Sequence, residues 1–311
     1  MKKTALLFSG QGAQSVGMGS DFQDWPVVAA LFRKADELLG RRLSEVTFLG
    51  PEEELTKTAN CQPALYVHGL ACLAALRQEI GDFPVHAAAG LSLGEFTAHA
   101  AAGTFDFETG LRLVEQRGTF MQEACDATEG AMAAMIGAEE NSIRDLAAQT
   151  DVDVANLNSP GQVVISGEAS KVALAVSLAK EAGVRRAAML NVAGAYHSRL
   201  MQPAYLKLGE ALQLVTIQPP KFKVVCNVDA RPVAEPDRIR ETLREQVTGT
   251  VRWTETIEYL IDVEKCEQFI ELGPGTVLAG LVNRIRKGFP VVSIGGAASL
   301  SAAAASLTTV A

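Results

Sequence analysis

Gly90-Leu91-Ser92-Leu93-Gly94 is the feature that most restricts what this chain can fold into. Small apolar residues at 85–89 lead into it, and a helical pattern over 95–101 follows. A glycine-flanked serine between a strand and a helix implies a turn too tight for ordinary side chains. It presents the hydroxyl at the strand's carboxyl end. The helix after it aims unpaired N–H groups, that of Leu93 among them, at the same point, where they can hold an oxyanion. A purely structural Gly-Ser-Gly turn is the plainer alternative. The strand before and the helix after favour Ser92 as a nucleophile.

A serine hydroxyl needs a base. The chain has four histidines. His68 and His99 fall inside helical patterns, and His86 lies in or beside the strand that feeds the turn. His197, in Gly194-Ala195-Tyr196-His197-Ser198, occupies a turn between a strand and a helix, where catalytic groups concentrate. It is the best candidate by elimination, against a histidine that merely caps a helix. The loop Ser9-Gly10-Gln11-Gly12-Ala13-Gln14 lacks the spacing of a phosphate-binding loop. Following the first strand, it could supply a second oxyanion N–H from Gln11, or be a plain connection. Arg117 sits among Leu111, Leu113, Val114, Phe120 and Met121. Such a cation either snorkels to the surface or forks onto a carboxylate.

Composition narrows the partners. With 36 acidic against 28 basic residues, the formal net charge is −8, which argues against nucleic acid. Five scattered cysteines form no Cys-x-x-Cys pair and suggest buried thiols in a reducing compartment, with no metal site. No apolar run is long enough for a membrane helix, and 4–8 is too short for a signal-peptide core. A cytoplasmic protein with no membrane partner is expected.

The organisation reads as α/β with one interruption. Strands are expected at 4–8, 85–89, 269–272 and 291–294. Helices are expected at 27–39 (closed by Gly40), 63–80, 107–124, 200–212, 237–246 and 254–261, and another from the Gly273-Pro274-Gly275 turn to about 286. Between them, 131–136, 140–149, 152–156, 163–166, 171–182 and 187–192 read as β-α-β-β-α-β, the ferredoxin-like pattern. The expected division is a core of 1–127 plus 194–311, with 128–193 inserted. The Ala- and Ser-rich tail from Gly295 is expected to fray.

Six segments together resemble malonyl-CoA:acyl carrier protein transacylases. They are Phe8-Ser9-Gly10-Gln11-Gly12-Ala13-Gln14, Gly90-Leu91-Ser92-Leu93-Gly94-Glu95, Gln116-Arg117-Gly118, Asn158-Ser159-Pro160-Gly161-Gln162, Gly194-Ala195-Tyr196-His197-Ser198 and Gly273-Pro274-Gly275. The resemblance covers about 4–294, and a chain of this length resembles the discrete enzyme of dissociated fatty acid synthesis rather than a module cut from a megasynthase. It implies an α/β-hydrolase-like core with a parallel sheet, plus the inserted ferredoxin-like subdomain. It implies ping-pong transfer of malonyl from malonyl-CoA to the phosphopantetheine thiol of acyl carrier protein, without a cofactor of the enzyme's own, by a monomer. Ser92 and His197 would be catalytic, with Gln11 and Leu93 forming the oxyanion hole. Arg117 would take the malonyl carboxylate, with Met121 and Asn158 in the pocket. The Gln246 carbonyl would orient His197.

The chain departs from the family's commonest pattern at Leu91, often His, at Tyr196, often Phe, and at Gly249, often Pro. Tyr196 keeps an aromatic wall that should crowd an α-methyl group, and Gly249 should loosen its loop. A serine hydrolase is the first rival, disfavoured by Arg117 and by the lack of an evident third acid. A sister acyltransferase, of polyketide synthesis or malonate decarboxylation, shares most of these motifs. A non-enzymatic carrier-binding scaffold has no need of Ser92, His197 and Arg117 together.

Overall fold

The computed structural model describes residues 2–308. Those residues form the strands β1 (Thr4–Phe8), β2 (Ala87–Gly90), β3 (Gly130–Ile136), β4 (Asp153–Ser159), β5 (Gln162–Glu168), β6 (Arg186–Met189), β7 (Lys223–Val225), β8 (Pro232–Val233), β9 (Gln268–Leu272) and β10 (Val291–Ile294). One sheet runs β10-β9-β1-β2-β7-β8, parallel except for the pair β7 and β8. β1 lies at its middle, and every residue of β1 is buried. A parallel sheet covered on both faces needs such unbroken apolar strands. Alternation divides the load: Leu6 and Phe8 join the core under the helices Thr58–Ile80 and Leu93–Ala101. Ala5 and Leu7 face the other core, with Trp253, Ile257 and Leu278.

β3 to β6 form a separate antiparallel sheet in the order β4-β5-β3-β6, with helices Glu140–Gln149 and Ala169–Leu178 between its strands. This is the β-α-β-β-α-β succession. Ile143, Leu146, Val172 and Ala175 from the two helices pack with Ala133, Met135 and Ile165 in a core of their own. The opposite face turns to the main body, where Met132, Ala155 and Val164 join the large core. The antiparallel sheet is also fastened by backbone to the segment that follows the helix Pro236–Glu245. Val251 N–H donates to the Ala155 carbonyl (2.8 Å), and Leu157 N–H donates to that of Val251 (2.9 Å).

Three differences from the sequence reading have physical causes. The helix expected from residue 63 begins at Thr58, so Pro63 lies inside it. Proline cannot donate to the carbonyl four residues back, and that carbonyl, of Ala59, takes an N–H of Arg41 instead (2.8 Å). The strand expected over 187–192 is Arg186–Met189, ending where its pairing with β3 ends. The tail does not fray within the described residues: Ala297–Thr308 is a helix. Asp21 accepts the Ala297 N–H at its start (2.6 Å), a favourable carboxylate position on the helix dipole. Leu300 and Ala303 are buried against the core.

The tail is therefore part of the folded unit. Leu300→Ala is expected to lower unfolding free energy by about 2–4 kcal/mol in a urea titration, whereas a frayed tail would leave it unchanged.

Candidate active site

The chain leaves β2 and turns back into the helix Leu93–Ala101 within two residues. The crossing is so close that a Cβ on Gly90 would lie 1.9 Å from the backbone of Gly94, and one on Gly94 would lie 2.2 Å from the Phe8 carbonyl oxygen. Ser92 takes the strain, with φ 52° and ψ −106°. A non-glycine residue persists there only when its surroundings hold it. The holding is visible. Asn227, just beyond β7, accepts the Ser92 N–H (2.7 Å) and donates its own amide N–H to the Gly90 carbonyl (2.8 Å). The Gln246 amide donates to the Ser92 carbonyl (3.1 Å).

His197 reaches the same point from a turn in which its own φ is 55°. Its Nε2 lies 2.8 Å from Ser92 Oγ, and its Nδ1 lies 2.7 Å from the Gln246 carbonyl oxygen. A carbonyl only accepts, so Nδ1 carries the proton and Nε2 is left to accept from the serine hydroxyl. Burial, aided by the neighbouring Arg117 cation, pulls His197 down to about 4. It is the free base at neutral pH. Ser92, His197 and the Gln246 carbonyl are thus brought together.

Arg117 is 1% exposed. Its guanidinium donates to Gln62 Oε1 (2.6 Å), to Gln246 Oε1 (2.7 Å) and to Ser92 Oγ (3.0 Å). It also lies 5.5 Å from the centre of the Phe96 ring. The snorkelling alternative is excluded by this burial. Every oxygen it touches is neutral, and its Nε has no partner among the described residues. Burial pulls its pKa down to about 10, so it stays charged at neutral pH. A buried cation whose acceptors are all neutral suits an incoming anion.

Above Ser92 opens a cleft of about 460 Å³ between the two sheets. Gln11, Leu91, Met121, Asn158, Tyr196 and His197 line it. Leu93 lies buried at the first position of its helix, where no preceding turn can accept its N–H. Asn156 and Asn158, both on β4, border the cleft. Asn158 Oδ1 is buried without a partner among the described residues. Tyr196 is fixed through its hydroxyl, 2.6 Å from Thr58 Oγ1. Among the described residues no group of three His, Cys, Asp or Glu could hold a metal ion, and no helix is long and apolar enough to cross a membrane.

Sequence reasoning missed Gln62, Asn227 and the side chain of Gln246. Each is an amide remote in sequence from the motifs it serves, and no local pattern marks it. Glu95 carried a signal, as a carboxylate in the motif GLSLGE next to apolar Phe96, and it is fully buried.

The histidine's environment sets a pH profile. Base-assisted acylation of Ser92 is expected to hold its rate down to about pH 5 and to fall along a limb near pH 4. Stopped-flow acylation rates check this, and a limb near 6.5 would mean a solvated, ordinary imidazole.

Comparison with known proteins was consistent with this geometry. The family model described as acyl transferase domain matches residues 5–300. The malonyl CoA-acyl carrier protein transacylase of Bacillus subtilis (strain 168) is 42% identical over 300 residues, 94% of this chain and 94% of that protein. The crystal structure of the acyl-carrier-protein-S-malonyltransferase from Bartonella henselae superposes with a TM-score of 0.93 at 39% identity, covering 98% of this chain and 99% of that one. A malonyl-transacylase in complex with a type II PKS acyl-carrier protein gives 0.94 at 40% identity, covering 98% and 99%. With a serine on a strained turn, a histidine on its hydroxyl and a match along nearly its whole length, this chain belongs to the acyl transferase domain family.

Proposed function

We propose that this chain transfers the malonyl group of malonyl-CoA to the phosphopantetheine thiol of an acyl carrier protein, by a ping-pong route, and so supplies fatty acid biosynthesis. The observation that carries the reading is the Arg117 guanidinium, fully buried yet 3.0 Å from Ser92 Oγ. A nucleophile that handled neutral acyl groups would gain nothing from a desolvated cation beside it. An acyl group ending in a carboxylate does gain, through a bidentate fork in a water-poor site.

In the first half-reaction the Ser92 hydroxyl passes its proton to His197 Nε2 while its oxygen attacks the thioester carbon. The backbone N–H groups of Gln11 and Leu93 hold the oxyanion. Coenzyme A then leaves as the thiol, taking the proton from His197. In the second half the carrier's thiol gives its proton to His197 and attacks the malonyl-serine ester, and Ser92 recovers its proton. The Gln246 carbonyl fixes the tautomer of His197 but cannot offset an imidazolium charge as a carboxylate does. A thiol leaving group needs only weak proton assistance, so a weakly basic histidine suffices. Met121, Asn158 and Tyr196 bound the space around the acyl chain, Tyr196 on the side where an α-methyl would sit.

The core of 1–127 plus 194–311 supplies nucleophile, base and cation in this reading, and 128–193 supplies the cleft's other wall. The enzyme acts as a cytoplasmic monomer and brings no cofactor of its own, the pantetheine arm arriving on its partner.

Arg117→Ala is expected to lower kcat/KM for malonyl-CoA by about 100-fold or more and to gain transfer from acetyl-CoA, since no unpaired cation then rejects a neutral acyl group. Steady-state kinetics with both thioesters check this. Normal malonyl-CoA kinetics in that variant would remove the carboxylate assignment.

A further inference from the structure

Arg117 is a buried cation with no carboxylate upon it, and the nearest buried carboxyl stands one amide away. Gln246 Oε1 accepts from Arg117 (2.7 Å), and Gln246 Nε2 donates to Glu95 Oε2 (3.1 Å). The same oxygen accepts the Asn227 N–H (2.9 Å). Glu95 has no exposed surface, and its other oxygen has no partner among the described residues. The result is a guanidinium–amide–carboxyl chain that closes behind Ser92. A glutamate placed directly on Arg117 would occupy the N–H groups a substrate carboxylate needs. Through an amide it acts on the charge while a neutral oxygen takes one N–H, and Arg117 Nε stays without a partner among the described residues.

We propose that Glu95 is a positioning residue for Arg117, a titratable counter-charge relayed by the Gln246 amide, whose ionised form weakens the site's hold on an anionic acyl group. This rests on the reading that Arg117 takes the malonyl carboxylate.

Burial pushes the Glu95 carboxyl up to about 8, opposed by its two N–H donors and by Arg117. The other charged or titratable groups facing it are few. Asp229 lies on the loop after β7 and pushes it further up. The Cys226 thiol on that loop is itself held up at about 12, and His197 across the site is down at about 4. Between pH 6.5 and 9, Glu95 is therefore the group here that changes charge. A bound malonyl carboxylate would cancel the attraction of Arg117 and raise Glu95 again, so binding above its free-enzyme value draws in a proton. Malonyl-CoA should then bind more weakly as pH rises, and acetyl-CoA, with no anion on its acyl group, should not.

The test compares the wild type with Glu95→Gln, whose amide oxygen can still accept both N–H groups. The readout is KM for malonyl-CoA and for acetyl-CoA from pH 6.5 to 9. At pH 6.5 the two proteins should agree on malonyl-CoA within about twofold. By pH 9 the wild-type KM should have risen about tenfold while the variant's stays flat. The effect should fall on KM rather than on kcat, and acetyl-CoA should show no such rise in either protein. A rise shared by both proteins, a wild-type KM that does not rise, or an equal rise with acetyl-CoA would overturn the proposal. If Glu95→Gln does not fold, calorimetry of malonyl-CoA binding to Ser92→Ala at pH 8.5, in two buffers of different ionisation enthalpy, decides instead. Proton uptake supports the proposal and its absence overturns it. A wild-type Ser92 that takes no malonyl at any pH would sink the functional reading itself, an outcome distinct from acylation with an unchanged pH dependence.

Discussion

Burying an arginine costs several kcal/mol unless its N–H groups and its charge are answered, and the core around Ser92 is built on that demand. Arg117 has 1% of its surface exposed and takes three neutral oxygens, from Gln62, Gln246 and Ser92. Those contacts answer three of its N–H groups, leave Nε without a partner among the described residues, and do not neutralise the cation. Gln246 becomes the common support. Its carbonyl sets the tautomer of His197, its amide oxygen holds Arg117, and its amide N–H groups brace the Ser92 carbonyl and meet Glu95. Ser92, His197 and Arg117 are thus tied to one residue, which couples any displacement of one to the others.

The two sheets divide the work. The parallel sheet brings the ends of β1, β2 and β7 together, placing Gln11, Ser92 and Asn227 at one edge, where open α/β sheets bind their ligands. The antiparallel sheet closes the space from above through Met132, Asn156, Asn158 and Val164. Its strand β4 also pairs with Val251, five residues past Gln246. The wall of the cleft is therefore tied by backbone to the segment that follows the histidine's support. This gives the second sheet a mechanical part in the site. The segment through Gly249, where a looser loop was expected, is anchored on both sides, by its own N–H to the Glu245 carbonyl (2.9 Å) and by Val251 to β4.

Much of this was legible in the sequence because the signals were local. The run at 4–8, the glycine-serine turn and the β-α-β-β-α-β succession each state their own geometry, and Ser92, His197 and Arg117 stood out against their neighbours. What stayed hidden depended on distance along the chain. Gln62 and Asn227 are ordinary amides until the fold brings them to Arg117 and to the turn at Ser92. The start of the helix at Thr58 was obscured by Pro63, whose missing donor is compensated by Arg41 from another element. The tail's alanines concealed a buried stripe at Leu300 and Ala303, because low side-chain volume looks like low packing until a partner surface is present.

The central claim is that Ser92 carries a malonyl group between two thiols. Intact-protein mass spectrometry after mixing the protein with malonyl-CoA, alongside acetyl-CoA and methylmalonyl-CoA, tests it most directly. The expected result is a single malonyl adduct on Ser92, formed in preference to the other two acyl groups and discharged by a carrier protein's phosphopantetheine thiol. Absence of an adduct from all three thioesters, together with hydrolysis of simple esters, would contradict it and make the protein a serine hydrolase.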